Sequence, residues 1–211
     1  MIGDKLVITE YHIENGKKIA AALLDRFRNI DRPLAVTVAG ESGSGKSETA
    51  AALAETLEKS NLKSLILGQD DYFKLPPKSN AARRKQGIDW VGMKEVDLDL
   101  MDEHLRAIKH GQPLIVKPLV FFDADRIDKE TVALDDINVV IAEGTYTTSL
   151  DEADFRAFID ADYHHTLAHR RKRARDEAEG AFIEQVLEIE HRIISAQKER
   201  ADIVLPPNPE N

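Results

Sequence analysis

The octet Gly40-Glu41-Ser42-Gly43-Ser44-Gly45-Lys46-Ser47 constrains this chain more than any other stretch, because it matches G-x-x-x-x-G-K-[ST] at every fixed position. The apolar, β-branched run Leu34-Ala35-Val36-Thr37-Val38 precedes it, and Ala50, Leu53, Ala54 and Leu57 follow at helical spacing. Strand, glycine loop and helix in that order make a phosphate cradle. The glycines let successive backbone N–H groups turn inward, and the helix starting at Lys46 adds the positive end of its dipole. The expected ligand is a nucleoside triphosphate, held by Gly40 to Ser47 with Glu48 in the following turn. Lys46, expected as an exposed charge at the loop end, would reach the β and γ phosphates. The Ser47 hydroxyl would ligate the bridging Mg2+.

The 211 residues, 42% of them hydrophobic, suffice for one α/β domain over 1–211 with a sizeable core. A formal charge of -9 argues against nucleic-acid and anionic-membrane partners. No cysteine is present, which excludes disulfides, thiolate metal sites and a cysteine nucleophile. No stretch approaches the roughly 18 apolar residues of a membrane span, and no cationic leader opens the chain, so a soluble cytoplasmic protein is expected.

Around the loop, an apolar stripe of Ile13, Ile19, Ala20, Leu23, Leu24 and Phe27 predicts a helical extension within 1–32 that packs on the sheet. A homo-oligomer is compatible with it. Leu62 to Leu67 reads as a second buried, parallel strand ending at Gly68-Gln69-Asp70-Asp71-Tyr72-Phe73. Lys74 to Gly87, rich in Pro, Lys and Arg, reads as a long mobile connection. Asp97 caps a helix carrying Leu98, Met101, Leu105 and Ile108. Leu114 to Phe122, with Pro118 inside it, reads as an edge strand or hairpin arm. Ile137 to Ala142 is a buried strand that delivers Glu143-Gly144. A short strand at Ala157 to Ala161, a helix through Ile183, Val186, Leu187, Glu190 and Ile194, and a last strand at Ala201 to Leu205 complete a mostly parallel sheet flanked by helices.

Ligands of open parallel sheets lie beyond the carboxyl ends of the strands, which draws Asp70, Asp71 and Glu143 toward Lys46 and Ser47. One carboxylate there can hold Mg2+ and another can accept the proton of an attacking hydroxyl. The run His169-Arg170-Arg171-Lys172-Arg173-Ala174-Arg175 is the one dense basic cluster of an acidic chain and predicts a lid over about 163–180. On a helix Arg170 and Arg173 share a face and suit the charge of a transferring phosphoryl group. His165 and His169 stand four apart without other ligands around them, so no zinc site is expected.

These residues resemble the phosphoribulokinase and uridine kinase family of P-loop small-molecule kinases from about Leu34 to about Pro206. The resemblance rests on the P-loop, on Gln69-Asp70-Asp71-Tyr72-Phe73, on the strand ending Glu143-Gly144, on the Arg-rich segment after Asp160-Ala161-Asp162, and on the terminal Ala-Asp-Ile-Val-Leu-Pro. It implies a P-loop fold with a substrate hairpin and a helical lid, and γ-phosphoryl transfer from ATP to a hydroxyl of a small metabolite, a nucleoside first. The rival readings are another small alcohol, such as a sugar, a sugar phosphate or a vitamin precursor, and a nucleotide switch or ATPase. By resemblance Asp70 is the general base, with Asp71 as rival. Ser47, Glu143 and Asp70 are the metal candidates, Arg170 and Arg173 close on the phosphates, and Asp71, Tyr72, Trp90, Phe121 and Arg126 line the acceptor site. The hairpin reads Val120-Phe121-Phe122-Asp123-Ala124-Asp125-Arg126, without the histidine with which uridine kinases grip the pyrimidine.

Overall fold

The computed structural model describes residues 6–28, 30–163, 166 and 180–208. Helix α1 spans Glu10–Arg26 and is followed by β1 (Leu34–Gly40), α2 (Lys46–Glu58) and β2 (Ser64–Gly68). Next come α3 (Pro77–Gln86), α4 (Leu98–Lys109) and the hairpin β3 (Leu114–Phe121) and β4 (Arg126–Ala133). Strands β5 (Val139–Glu143) and β6 (Phe155–Ile159), helix α5 (Ala181–Gln197) and strand β7 (Ile203–Leu205) complete the order. The main sheet runs β2-β5-β1-β6-β7 and is parallel throughout, and the hairpin forms a separate two-stranded sheet.

Alternation along β1 divides the core. Ala35 and Ala39 face Met101, Leu105 and Ile108 of α4 and Ile194 of α5. Val36 and Val38 face Ile19 and Leu23 of α1 and Leu53 and Leu57 of α2. Every residue of β1 is buried, as a central strand covered on both faces requires. The predicted N-terminal helix is therefore present and contributes to the core beneath the sheet, lying against α2 where Gly16 meets the Ala52 backbone.

Two expectations are corrected. The second strand is an edge strand, not a buried one: β5 lies between it and β1, and Ile66 is 38% exposed. Lys74 to Gly87 is not an irregular connection, because most of it is α3. That helix has Pro77 in its first turn, and the Asp125 carboxylate from the hairpin accepts from the N–H groups of Lys78 (2.6 Å) and Ser79 (3.3 Å). A capping carboxylate 46 residues away in sequence supplies what local apolar periodicity lacks. No helix among the described residues is long and apolar enough to cross a membrane.

Candidate active site

The P-loop leaves β1 at Gly40 and enters α2 at Lys46, with positive φ at Gly40 (149°), Gly43 (82°) and Gly45 (87°). A Cβ on Gly40 would lie 2.8 Å from the Ile159 carbonyl oxygen, so the first glycine answers to close packing as well as to the turn. Lys46 is buried, not exposed, and its Nζ donates to the Glu41 carbonyl at 2.8 Å. The ammonium thus bends back over the loop, where phosphates would replace the carbonyl as its partner.

Strand register brings the acids in. Glu143 ends β5 opposite Val38 of β1 and Gly68 of β2. A side chain at Gly68 would approach Glu143 Oε1 at 3.2 Å, so this glycine leaves room for the carboxylate. Glu143 Oε2 accepts from the Ser47 hydroxyl at 3.3 Å. Burial and the neighbouring negative charge of Asp70 push the Glu143 carboxyl up to about 7, against the opposing pull of Lys46 and Ser47. Asp70 itself is exposed, in the short 3-10 turn Gln69–Tyr72 that follows β2. The Gln69 amide accepts from Tyr146 N (2.7 Å) and donates to Thr145 (3.0 Å), fixing the loop after β5 against that turn.

Mg2+ usually takes one or two carboxylates together with substrate phosphates. The Ser47 hydroxyl, the Glu143 carboxylate and the nearby Asp70 charge provide such hard oxygen donors, so the residues fit the ion. Among the described residues no group of three His, Cys, Asp or Glu side chains could hold a metal unaided.

The expected acceptor residues divide. Asp71 is buried, receives the Lys117 ammonium at 2.8 Å and accepts from Val120 N at 3.1 Å, tying the turn to the hairpin. Tyr72 is a core residue, 1% exposed, with its hydroxyl 2.8 Å from His104 Nδ1, which corrects its expected place in the acceptor site. Trp90 is half-buried, donates to Asn80 Oδ1 at 2.8 Å and lies under the Arg83 guanidinium. Arg126 stacks over Phe121 at 4.9 Å and pairs with Asp128 at 2.8 Å. Arg170 and Arg173, with His165 and His169, lie outside the described residues.

A second polar group borders this region and was not anticipated. Glu95, fully buried, accepts from Arg84 Nε (2.6 Å), Asn80 Nδ2 (2.6 Å) and Gly92 N (2.6 Å). Arg84 also reaches Glu190 of α5 at 2.7 Å. Burial raises the Glu190 pKa, with Arg84 opposing it and Glu95 adding to it. The Tyr146 hydroxyl, buried beside these carboxylates, makes no hydrogen bond among the described residues. Next to Glu190 along α5, His191 Nδ1 lies 2.8 Å from Glu41 Oε1 in the P-loop. The visible signal was Glu190 itself, a carboxylate on an otherwise apolar helix stripe.

Comparison with known proteins identifies the family. The model of the phosphoribulokinase/uridine kinase family matches residues 35–211. A uridine kinase of Lactiplantibacillus plantarum is 27% identical over 191 residues, covering 85% of this chain and 90% of the relative. The bifunctional alpha-galactosidase/sucrose kinase of Mediterraneibacter gnavus is 27% identical over 84% of this chain, which spans 20% of that longer protein. Among solved structures, a protein provisionally assigned as a fructose transport system kinase from Silicibacter sp. TM1040 superposes with a TM-score of 0.73 at 21% identity. That match covers 90% of this chain and 98% of the other.

Proposed function

This chain belongs to the phosphoribulokinase/uridine kinase family of ATP-dependent phosphotransferases that act on alcohol groups, and on that premise we propose how it works and what it accepts. The reaction is transfer of the γ-phosphoryl group of ATP, with Mg2+, to a hydroxyl of a small metabolite. The observation that carries the reading is Ser47 Oγ at 3.3 Å from Glu143 Oε2, beside the exposed Asp70 and over the P-loop. Bound Mg2+ would supply charge neutralisation across the phosphates, with Ser47 and Glu143 as its holders. Asp70 takes the proton of the acceptor hydroxyl, since Asp71 is committed to Lys117. Lys46 follows the phosphates, and Arg170 and Arg173 close over them from the proposed lid. The P-loop and the acceptor side form one cytoplasmic kinase domain in this reading.

For the acceptor, a nucleoside comes first, because relatives designated uridine kinases cover most of both chains. An unphosphorylated sugar is the second reading, and the hairpin favours it. Asp125 caps α3, Lys78 Nζ holds the Asp123 carbonyl at 2.9 Å, and Arg126 is engaged by Phe121 and Asp128. The Arg84 cluster, whose two carboxylates outnumber its cation, would repel a phosphorylated acceptor and so favours a neutral polyol. ATP turnover with and without a panel of nucleosides and sugars tests the reading. The expected result is low basal hydrolysis and marked dependence on one acceptor class. Hydrolysis indifferent to every acceptor would instead support a nucleotide switch or ATPase.

A further inference from the structure

Behind the P-loop stands a buried side chain that the reaction leaves unused. His12 of α1 is 2% exposed. A Cβ on Gly45 would lie 2.6 Å from its Nε2 and 3.0 Å from its Cδ2, so one edge of the imidazole fills the space that any other residue at 45 would claim. Gly45 directly precedes Lys46, has a φ of 87° and is the N-cap of α2. Its carbonyl accepts the first bond of that helix, from Thr49 N at 2.9 Å. The turn at Gly45 therefore sets where the N–H groups of the loop and the positive end of α2 point.

The ring is held in one orientation. Thr9 N donates to His12 Nδ1 at 3.0 Å, and the Thr9 hydroxyl oxygen lies 3.0 Å from the same nitrogen. A backbone amide can only donate, so Nδ1 is an acceptor and the ring proton sits on Nε2, the atom beside Gly45. His12 thereby takes the third helical position of a capping box, where Glu or Gln usually satisfies the same N–H. Four residues on and on the same face of α1, a Cβ on Gly16 would lie 2.8 Å from the Ala52 backbone. Close approach at Gly16 seats α1 on α2 and fixes how far His12 reaches toward the loop. Ile19, Ala20 and Leu23 supply the apolar packing of α1, whereas a polar ring at a buried position needs partners on its polar atoms.

We propose that His12 is a positioning residue of the nucleotide site: its Nε2–H edge braces Gly45 from behind and keeps the P-loop amides turned toward the phosphates. It acts through the loop and touches no substrate. The Nε2–H also adds a donor dipole next to the N-terminus of α2. Helix α1 lies outside residues 35–211, so the brace is carried by a segment that the family model does not match. The inference rests on the reading of the P-loop as the site of the ATP phosphates.

Calorimetric titration of the full chain with Mg-ATP and with Mg-tripolyphosphate, beside thermal melting, tests the brace. His12→Asn keeps an acceptor for Thr9 N but ends short of Gly45, whereas His12→Gln keeps the acceptor and reaches further. His12→Asn should lose about tenfold in affinity, by the same factor for both ligands, because only the phosphate cradle is disturbed. His12→Gln should stay within about twofold of the wild type. His12→Leu fills the space without a donor, should lose about as much as His12→Asn, and stands in for it if that chain does not fold. Native affinity for both ligands in the folded Asn or Leu variant would overturn the brace, whatever its melting temperature. An equal loss in His12→Gln would reduce His12 to a ring that packs, and a loss for ATP with native tripolyphosphate binding would move the effect away from the phosphates; either overturns the proposal. A wild-type chain that binds neither ligand would overturn the P-loop reading beneath it.

Discussion

The Asp71 carboxylate and the Lys117 ammonium meet at 2.8 Å with side chains 6% and 8% exposed, a buried ion pair joining the turn after β2 to the hairpin. Its neighbour Asp70 is exposed at the mouth of the site. Adjacent aspartates thus have opposite surroundings, and substitution should separate them. Asp70→Asn should lower kcat by a factor on the order of 100 or more with an unchanged melting temperature. Asp71→Asn should lower the melting temperature, because removing one partner leaves Lys117 buried with reduced compensation. Full activity in Asp70→Asn, with Asp71→Asn folded and inactive, would move the base by one residue.

Glu143 should make both metal use and stability depend on pH. Its folded value of about 7 lies above the usual 4.5. Between those values the folded chain holds a proton that the unfolded chain has released. The contribution is fully present below about 4.5 and is lost as pH rises through 7. The ligand-free protein should therefore lose melting temperature across that window, and Glu143→Gln should flatten the loss. Mg2+ requires the ionised carboxylate, so the Mg2+ concentration for half-maximal turnover should fall as pH rises through 7. A Mg2+ requirement flat from pH 6 to 8 would remove Glu143 from the metal site.

Arg84 holds Glu95 and Glu190 together across α3 and α5. Arg84→Met leaves two carboxylates without their cation and should cost about 3–5 kcal/mol in chemical denaturation. Adding Glu190→Gln should restore part of that loss, because one of the two stranded charges is removed. Equal stabilities of the single and double variants would show that Glu190 is solvated independently of Arg84.

Arg170→Ala and Arg173→Ala should reduce kcat more than they weaken ATP binding, since charge on the transferring group peaks in the transition state. Equal losses of ADP and ATP affinity with unchanged kcat would make these residues ground-state phosphate binders.

What was legible in the sequence was set by local rules. The P-loop, the buried β1, the Asp97 cap and the hairpin around Pro118 all follow from motif, period and turn chemistry, and Leu100 N does donate to Asp97 at 3.2 Å. Helix α3 was hidden because its support is remote: Asp125 at one end, Glu95 and Glu190 along its length. The edge position of β2 was hidden because strand order depends on β5, which arrives some 70 residues later. In the site, residue types near the strand ends were readable, but the split between Asp70 and Asp71 was not. Only the hairpin brings Lys117 to one of them.

The acceptor gives the sharpest remaining prediction, because the named relatives and the hairpin of this chain pull apart. A site built to hydrogen-bond one base edge rejects analogues that lack it, since buried polar groups would be left unpaired. Here the hairpin tip is occupied with α3: Asp125 accepts from the Ser79 hydroxyl at 2.7 Å as well as from two backbone N–H groups. Phe121 is covered by Arg126, and no histidine stands between Val120 and Arg126 to read a pyrimidine. Activity on uridine and cytidine should therefore be weak or absent, with kcat/KM lower by several orders of magnitude than for the preferred acceptor. Purine nucleosides and unphosphorylated sugars belong in the same panel, each assayed at saturating Mg-ATP. If uridine is phosphorylated efficiently at micromolar KM, the α3-hairpin contacts must open on binding, and Asp125→Ala should then leave uridine turnover intact while lowering the stability of α3.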